Sequence, residues 1–244
     1  MKGQAQESFS GWLKQTLALI SRRLDLWFGY AVFMYVPLAS CRVSLALGIF
    51  LSVTCLFTGV AVAEFIDTAS VRDKSKSLIK SIKITLPLAM SMAALIVICW
   101  LIFRMVFNLY TGEPEKILQF IFNWELTDKN FADKDPRQFA IWLYKPAIAS
   151  MIFSLLMFIS FVSWFSYPLM AFKKYNWVDA KYRGREAANE HRSAVYKLVA
   201  FVLLLSIAGT GILPMVTPLF FSLISSLMYV SYKGVFCIAR KSGD

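Results

Sequence analysis

Residues that could do chemistry are concentrated in one 27-residue segment, from Ala171 to Lys197. The segment contains seven Lys or Arg residues, three acids and His191, the only histidine of the 244-residue chain. Catalysis needs a nucleophile, a base and an orienting partner held within hydrogen-bond distance of one another. His191 has only Glu190 and Arg192 beside it, and the HExxH, GxSxG and Walker A patterns do not occur in the chain. The sequence therefore predicts no catalytic residue and no enzyme.

The four cysteines predict neither a metal centre nor a disulfide framework. Cys41, Cys55, Cys99 and Cys237 lie in separate apolar stretches, without a CxxC pair or a neighbouring histidine. Zinc sites and small disulfide-rich folds need closely spaced cysteines. We expect no metal and no cofactor, and we interpret the thiols as small residues that face lipid or the protein core.

The local pattern of the 27-residue segment predicts a basic amphipathic helix along a membrane interface. Asn176 can cap its first turn, and Asp179 in the third helical position reinforces the cap. Small residues recur at spacings of three or four, which would let one face approach a neighbouring helix or the membrane closely. Each base near an anionic surface contributes about 1 kcal/mol of attraction. The candidate lipid- or partner-binding residues are Lys173, Lys174, Lys181, Arg183, Arg185 and Arg192.

Composition places this helix in a membrane protein. The chain is 58% hydrophobic and 16% aromatic, whereas soluble domains are about 45–50% apolar. Several runs of about 20 apolar residues predict membrane spans, and residues 1–244 are few enough to form one integral-membrane domain. Basic loops on the cytoplasmic side of a membrane explain the net charge of +11. We therefore expect the phospholipid bilayer and its anionic headgroups as partners, and no nucleic acid.

The predicted fold is an all-α polytopic bundle of about six transmembrane helices, with amphipathic interfacial helices beside them. The spans are expected at residues 26–40, 43–63, 84–110, 146–170, 198–212 and 218–238. The first span is the shortest, because Pro37 and Arg42 mark its end and about 15 residues barely cross a hydrocarbon core of about 30 Å. A re-entrant helix is the alternative for this segment.

Three further helices are expected outside the spans. Residues 9–24 predict an amphipathic surface helix, and Ser70 with Asp73 can form a capping box for a short second helix. Pro114 suits the start of a third, interfacial helix that carries aromatic residues to headgroup level. The apolar side of the first helix is made by Phe9, Trp12 or Leu13, Leu17, Ile20 and Leu24, and that of the third by Ile117, Ile121 and Trp124.

Charge counts predict the orientation of the chain. The two termini and segments 64–83 and 171–197 together hold 19 bases against 9 acids, whereas loop 111–140 holds six acids and four bases. Because basic residues accumulate in short cytoplasmic loops, both termini and both basic segments are expected in the cytoplasm. Loop 111–140 is expected outside.

Two arginines near span ends form the candidate intramembrane polar site. Charged side chains are costly in hydrocarbon and usually face protein, water or headgroups. Arg42 and Arg104 lie toward the predicted external side, where a long side chain can reach the headgroups. The alternatives are a buried pair or a site for an anionic lipid.

Two stretches together resemble the C-terminal half of a family of small bacterial inner-membrane proteins related to the membrane domain of some glycerophosphodiester phosphodiesterases. They read FSYPLMAFKKYNWVDAKYRGREAANEHRSAVYKLVAFVLLL and LPMVTPLFFSLISSLMYVSYKGVF. The shared order is a proline-bearing span end, a Trp-x-x-Ala helix start, a polar helix, a span, and a proline-initiated last span ending in Tyr229, Tyr232 and Phe236. The earlier TGVAVAEFIDTASVRDKSKSLIKSIK resembles the family's small-residue span end and charged segment.

This resemblance covers residues 10–110 and 140–240, and loop 111–140 is longer than the family pattern. It implies a fold and a bacterial inner-membrane location, without a catalytic residue. The sequence then favours a non-enzymatic accessory or scaffold subunit of a membrane assembly. The alternatives are a transporter or lipid-handling protein, which would need Arg42 and Arg104 in one cavity, and a headgroup-modifying enzyme. The enzyme would need Glu64 or Asp67 gathered with His191.

Overall fold

The structure is a computed structural model that describes residues 8–68, 75–123, 135–161, 163–211 and 216–238. Over these residues the chain is helical without a strand, so the predicted all-α bundle is confirmed. α10 continues into a π-helical turn over Gly234–Ile238. The helices are α1 Phe9–Arg22, α2 Leu24–Val43, α3 Leu45–Thr68, α4 Ser75–Tyr110, α5 Glu115–Ile121, α6 Pro136–Phe161, α7 Ser166–Lys173, α8 Trp177–Glu190, α9 Arg192–Gly211 and α10 Thr217–Lys233.

Within the described residues, six helices are long and apolar enough to cross a membrane, which indicates a multi-pass membrane protein. They are α2, α3, α4, α6, α9 and α10. The predicted end of the first span at residue 40 is three residues short of the end of α2, because Pro37 lies inside the helix; Arg42 lies in its last turn, as predicted. The 20 residues of α2 extend about 30 Å at 1.5 Å per residue, the thickness of a hydrocarbon core. This length favours a full crossing over a re-entrant helix.

The predicted fourth span, 146–170, is also wrong in its bounds. α6 already begins at Pro136 and contains Pro146, so the predicted loop 111–140 ends five residues earlier than expected. After α6 the chain turns at Ser163, whose φ is 78°, and continues as the separate helix α7. The residues of this turn are apolar, so the sequence pattern predicts a longer span than the structure has. In the structure Trp164 contacts α10, because its indole N–H donates to Ser231 Oγ at 2.9 Å.

Helix α3 is the centre of the bundle and packs against α2, α4, α6 and α10. Three consecutive backbone carbonyls in its middle accept hydrogen bonds from side chains of three other elements. Tyr30 donates to the Cys55 carbonyl at 2.7 Å, Ser225 to that of Leu56 at 2.8 Å, and Tyr167 to that of Phe57 at 3.2 Å. Gly59 lies beside these bonds, and a methyl group there would be 2.5 Å from Ser225 Oγ. Close helix approach and polar contacts between helices are typical of membrane bundles.

Helix α1 begins where the sequence predicts and ends at Arg22, two residues before the predicted end. Of its predicted apolar side, Trp12 is buried against the bundle together with Thr16 and Leu19, whereas Leu17 is 55% exposed; Leu24, 62% exposed, is the first residue of α2. α9 starts at Arg192, six residues before the expected Leu198. The predicted cap at Ser70 and Asp73, and the predicted helical contact of Trp124, lie outside the described residues.

The two ends of the bundle carry different elements. α7 joins the C-terminal part of α10 at one end, where the Phe172 ring lies 6.0 Å from that of Tyr229 and the Phe165 ring 5.7 Å from that of Phe236. We call this the basic end, because α8 follows α7. At the α5 end, the backbone N–H of Asn123 donates to the Val43 carbonyl at 2.8 Å, which fixes the chain after α5 to the end of α2.

Candidate functional site

Helix α8 is held on the basic end by its small residues. Asn176 caps the helix as predicted, because its side chain accepts a hydrogen bond from the Asp179 N–H at 2.8 Å. Ala180, Gly184 and Ala187 are buried, and Ser166 of α7 donates to the Ala180 carbonyl at 3.2 Å. A Cβ on Gly184 would lie 2.3 Å from Ser163 Oγ. The small-residue face therefore packs against a neighbouring helix, one of the two uses that the spacing predicts.

All six predicted binding bases are exposed, so the packing of α8 leaves them available. Arg183 lies with its guanidinium 4.9 Å from the centre of the Tyr175 ring, a cation–π arrangement that orients the side chain. Lys174 has a left-handed backbone with φ 54° and ends α7. Val178 and Tyr182 on α8 are also 72% and 70% exposed. The exposed bases are Lys173, Lys174, Lys181, Arg183, Arg185 and Arg192.

His191 lies at the break between α8 and α9. Its backbone N–H donates to the Ala187 carbonyl at 3.0 Å, and α8 ends there. The acids that an enzyme would need with it have other surroundings: Asp67 contacts three residues of α1 and α10, and Glu64 lines a cavity with Lys80 and Thr85. The headgroup-modifying reading therefore gains no support from the described geometry.

A charged cluster at the basic end was not predicted from the sequence. Asp67, in the last turn of α3, accepts hydrogen bonds from Arg22 of α1 and from Tyr229 and Lys233 of α10. The Arg22 Nη1 to Oδ1 distance is 3.3 Å and the Tyr229 Oη to Oδ2 distance is 2.9 Å, while Lys233 pairs with the same Oδ2. We call these four residues the Asp67 cluster. The only sequence signal was the spacing of Tyr229 and Lys233, one helical turn apart at the end of a span.

The two intramembrane candidates, Arg42 and Arg104, lie at the α5 end, each over a tryptophan. The Arg42 guanidinium is 3.9 Å from the centre of the Trp142 ring, and that of Arg104 is 5.8 Å from the Trp100 ring. α5 lies close to both positions. Its Phe120 ring is 5.9 Å from that of Trp100. The side-chain amide of Asn123, just after α5, donates to the backbone carbonyl of Arg42 at 3.1 Å.

At the α5 end, helix α4 carries a row of buried polar atoms that have no hydrogen-bond partner among the described residues. They are the indole Nε1 of Trp100, Nε of Arg104 and both amide atoms of Asn108, which is only 1% exposed. The three residues are spaced by four, so they share one face of α4. Lys83 and Arg104 bound 20 uncharged residues of α4, about 30 Å of helix, so Arg104 lies near one edge of a hydrocarbon core.

Comparison with protein-family models, curated proteins and solved structures finds no match for this chain. The resemblance to bacterial inner-membrane proteins stays a prediction based on the residues quoted for it. Functional inference therefore depends on the geometry of α8, the Asp67 cluster and the α5 end.

Proposed function

We propose that this protein is a non-enzymatic integral protein of a bacterial inner membrane, acting as an accessory or scaffold subunit of a membrane assembly. The observation that supports this proposal is the packing of α8, a helix outside the six spans that is fixed to the bundle by its small residues. Its other sides present bases together with exposed Val178 and Tyr182. Tyr and Arg are enriched in protein interfaces, and a helix already fixed in place loses little conformational freedom on binding.

Charge reversal on α8 tests this function. The double variant Lys181→Glu with Arg185→Glu changes two exposed bases one turn apart, and we expect it to lose a protein partner that co-purifies stoichiometrically with the wild type. The matched control, Lys14→Glu with Lys83→Glu, changes the net charge equally at two other exposed positions and should retain the partner. Equal partner recovery from both variants would contradict docking through α8.

The proposed orientation places the basic end in the cytoplasm and α5 outside, in keeping with the positive-inside rule. Exposed Cys237 would react with a thiol reagent, so the test starts from the Cys237→Ser chain. A membrane-impermeant maleimide should then label intact cells through Glu115→Cys and leave Arg185→Cys unlabelled until the cells are opened. The reverse labelling pattern would overturn the orientation.

The alternative function is small-molecule or lipid transport or lipid handling. Arg104 and Asn108 carry atoms near a membrane edge that no other described residue pairs with, which supports binding of a polar headgroup there. A cavity inside the bundle, bordered by Ser52, Ser150 and Ser154, leaves only ≈ 20 Å³ for the centre of a water-sized sphere. That volume holds about one water molecule, so this cavity does not admit a larger solute. Retention of a phospholipid that Arg104→Gln abolishes, with no protein partner present, would favour it over the scaffold function.

A further inference from the structure

A polar cavity opens beside the Asp67 cluster, between α1, α3 and α10. Its volume is ≈ 220 Å³, and its polar lining consists of Gln15 and the four residues of the cluster. The cavity is therefore bordered by two cations, one carboxylate, a phenol and an amide. A phosphate group fits easily within this volume.

The carboxylate lies beneath the two cations and accepts three hydrogen bonds. The Asp67 side chain is 13% exposed, whereas those of Arg22 and Lys233 are 58% and 41% exposed. One carboxylate oxygen accepts from Arg22, and the other from Tyr229 and Lys233. Guanidinium and ammonium groups carry five and three N–H donors respectively, so both cations keep donors for a ligand.

The local charge and spacing favour an oxyanion. Among the described residues that line the cavity, two positive charges and one negative charge give a net positive charge. Because the two oxygens of one carboxylate hold Arg22 and Lys233 on neighbouring positions, two oxygens of one phosphate can accept from both cations, and such charge-assisted hydrogen bonds are the strong ones. The cluster also lies at the ends of the spans α3 and α10, the level at which bases meet phospholipid headgroups.

We propose that the Asp67 cluster binds a phosphate group, with Arg22 and Lys233 as the binding cations and Asp67 as the residue that positions them. The phosphate belongs either to a membrane phospholipid or to a soluble phosphate, which present the same oxyanion. This site uses none of the α8 bases, so it stands or fails separately from the scaffold function.

The test measures ligand-dependent thermal stabilisation of the full-length chain in non-ionic detergent, because a ligand that binds only the folded state raises its stability with concentration. The probes are phosphatidylglycerol in mixed micelles, diacylglycerol in the same micelles, and inorganic phosphate. The variants are Arg22→Gln and Lys233→Gln. The matched control is Arg23→Gln, because Arg23 pairs with Asp25 at 2.9 Å, is similarly exposed and does not line the cavity.

We expect phosphatidylglycerol to stabilise the wild type and diacylglycerol to have no effect. Loss of one charge-assisted contact should raise the apparent Kd for phosphatidylglycerol about tenfold in Arg22→Gln and in Lys233→Gln, with no change in Arg23→Gln. Stabilisation by inorganic phosphate with the same dependence on Arg22 and Lys233 would assign the site to a soluble phosphate. The proposal is overturned if neither phosphate probe stabilises the chain, or if Arg23→Gln weakens binding as much as the two cavity variants do.

Discussion

Gly59 offers the sharpest test of how the bundle is held together. A Cβ at this position would lie 2.5 Å from Ser225 Oγ, 2.8 Å from Ser225 Cβ and 2.7 Å from Tyr30 Oη. Ser225 and Tyr30 would have to move, and both now donate hydrogen bonds to carbonyls of α3. Gly59→Ala therefore disturbs steric packing and two contacts between helices at once.

The expected loss of stability follows from these contacts. Overpacking costs about 1–3 kcal/mol, and each hydrogen bond between membrane helices contributes about 0.6 kcal/mol. Alanine is favoured over glycine in a helix interior by about 0.5–1 kcal/mol, which offsets part of the loss. Gly59→Ala should thus lower the free energy of unfolding by about 1.5–3.5 kcal/mol.

Gly29 in α2 supplies the matched control, because a Cβ there would meet nothing within 4 Å. Gly29→Ala should stabilise the chain slightly through helix propensity alone. Thermal unfolding of both variants in mild detergent, followed by tryptophan fluorescence, gives the comparison. A Gly59→Ala chain that unfolds at or above the midpoint of Gly29→Ala would refute the packing described around α3.

Three further changes test other parts of the structure. Asn108→Leu should raise the free energy of unfolding by about 1–3 kcal/mol, because it removes two buried amide atoms that have no partner within the described part of the chain; a lower midpoint in the same thermal assay would show that the amide has a binding partner. Gly184→Ala should push α8 away from Ser163 and speed trypsin cleavage at the α8 bases, whereas unchanged cleavage would contradict the close packing. Tyr167→Phe should cost about 0.6 kcal/mol through loss of the bond to the Phe57 carbonyl, and an unchanged midpoint would show that this bond adds nothing.

Local patterns in the sequence predicted much of the fold. Apolar runs dictate helices in a bilayer, because every backbone polar group must be satisfied within the helix, and six such runs became six helices long enough to span. The Asn176 cap was predictable because it is a local feature that involves only residues three positions apart. The span boundaries predicted at prolines were wrong. Pro37 and Pro146 both lie inside helices, a placement that neighbouring helices make tolerable in membranes.

The Asp67 cluster could not be predicted, because its partners are distant in the sequence. Asp67 meets Arg22 across 45 residues, Tyr229 across 162 and Lys233 across 166. Only the packing of α1 and α10 beside the end of α3 brings them together. The turn at Ser163 was missed for a related reason, since its apolar residues are buried by contacts with α10 and α3 that no local pattern reveals.

The most direct test of the scaffold function is the mass of the intact particle purified from native membranes in mild detergent. We expect a particle in which the 27.7 kDa chain is accompanied by a different protein at fixed stoichiometry. A particle that contains only this chain, alone or in multiple copies and with or without bound lipid, would rule out the scaffold function.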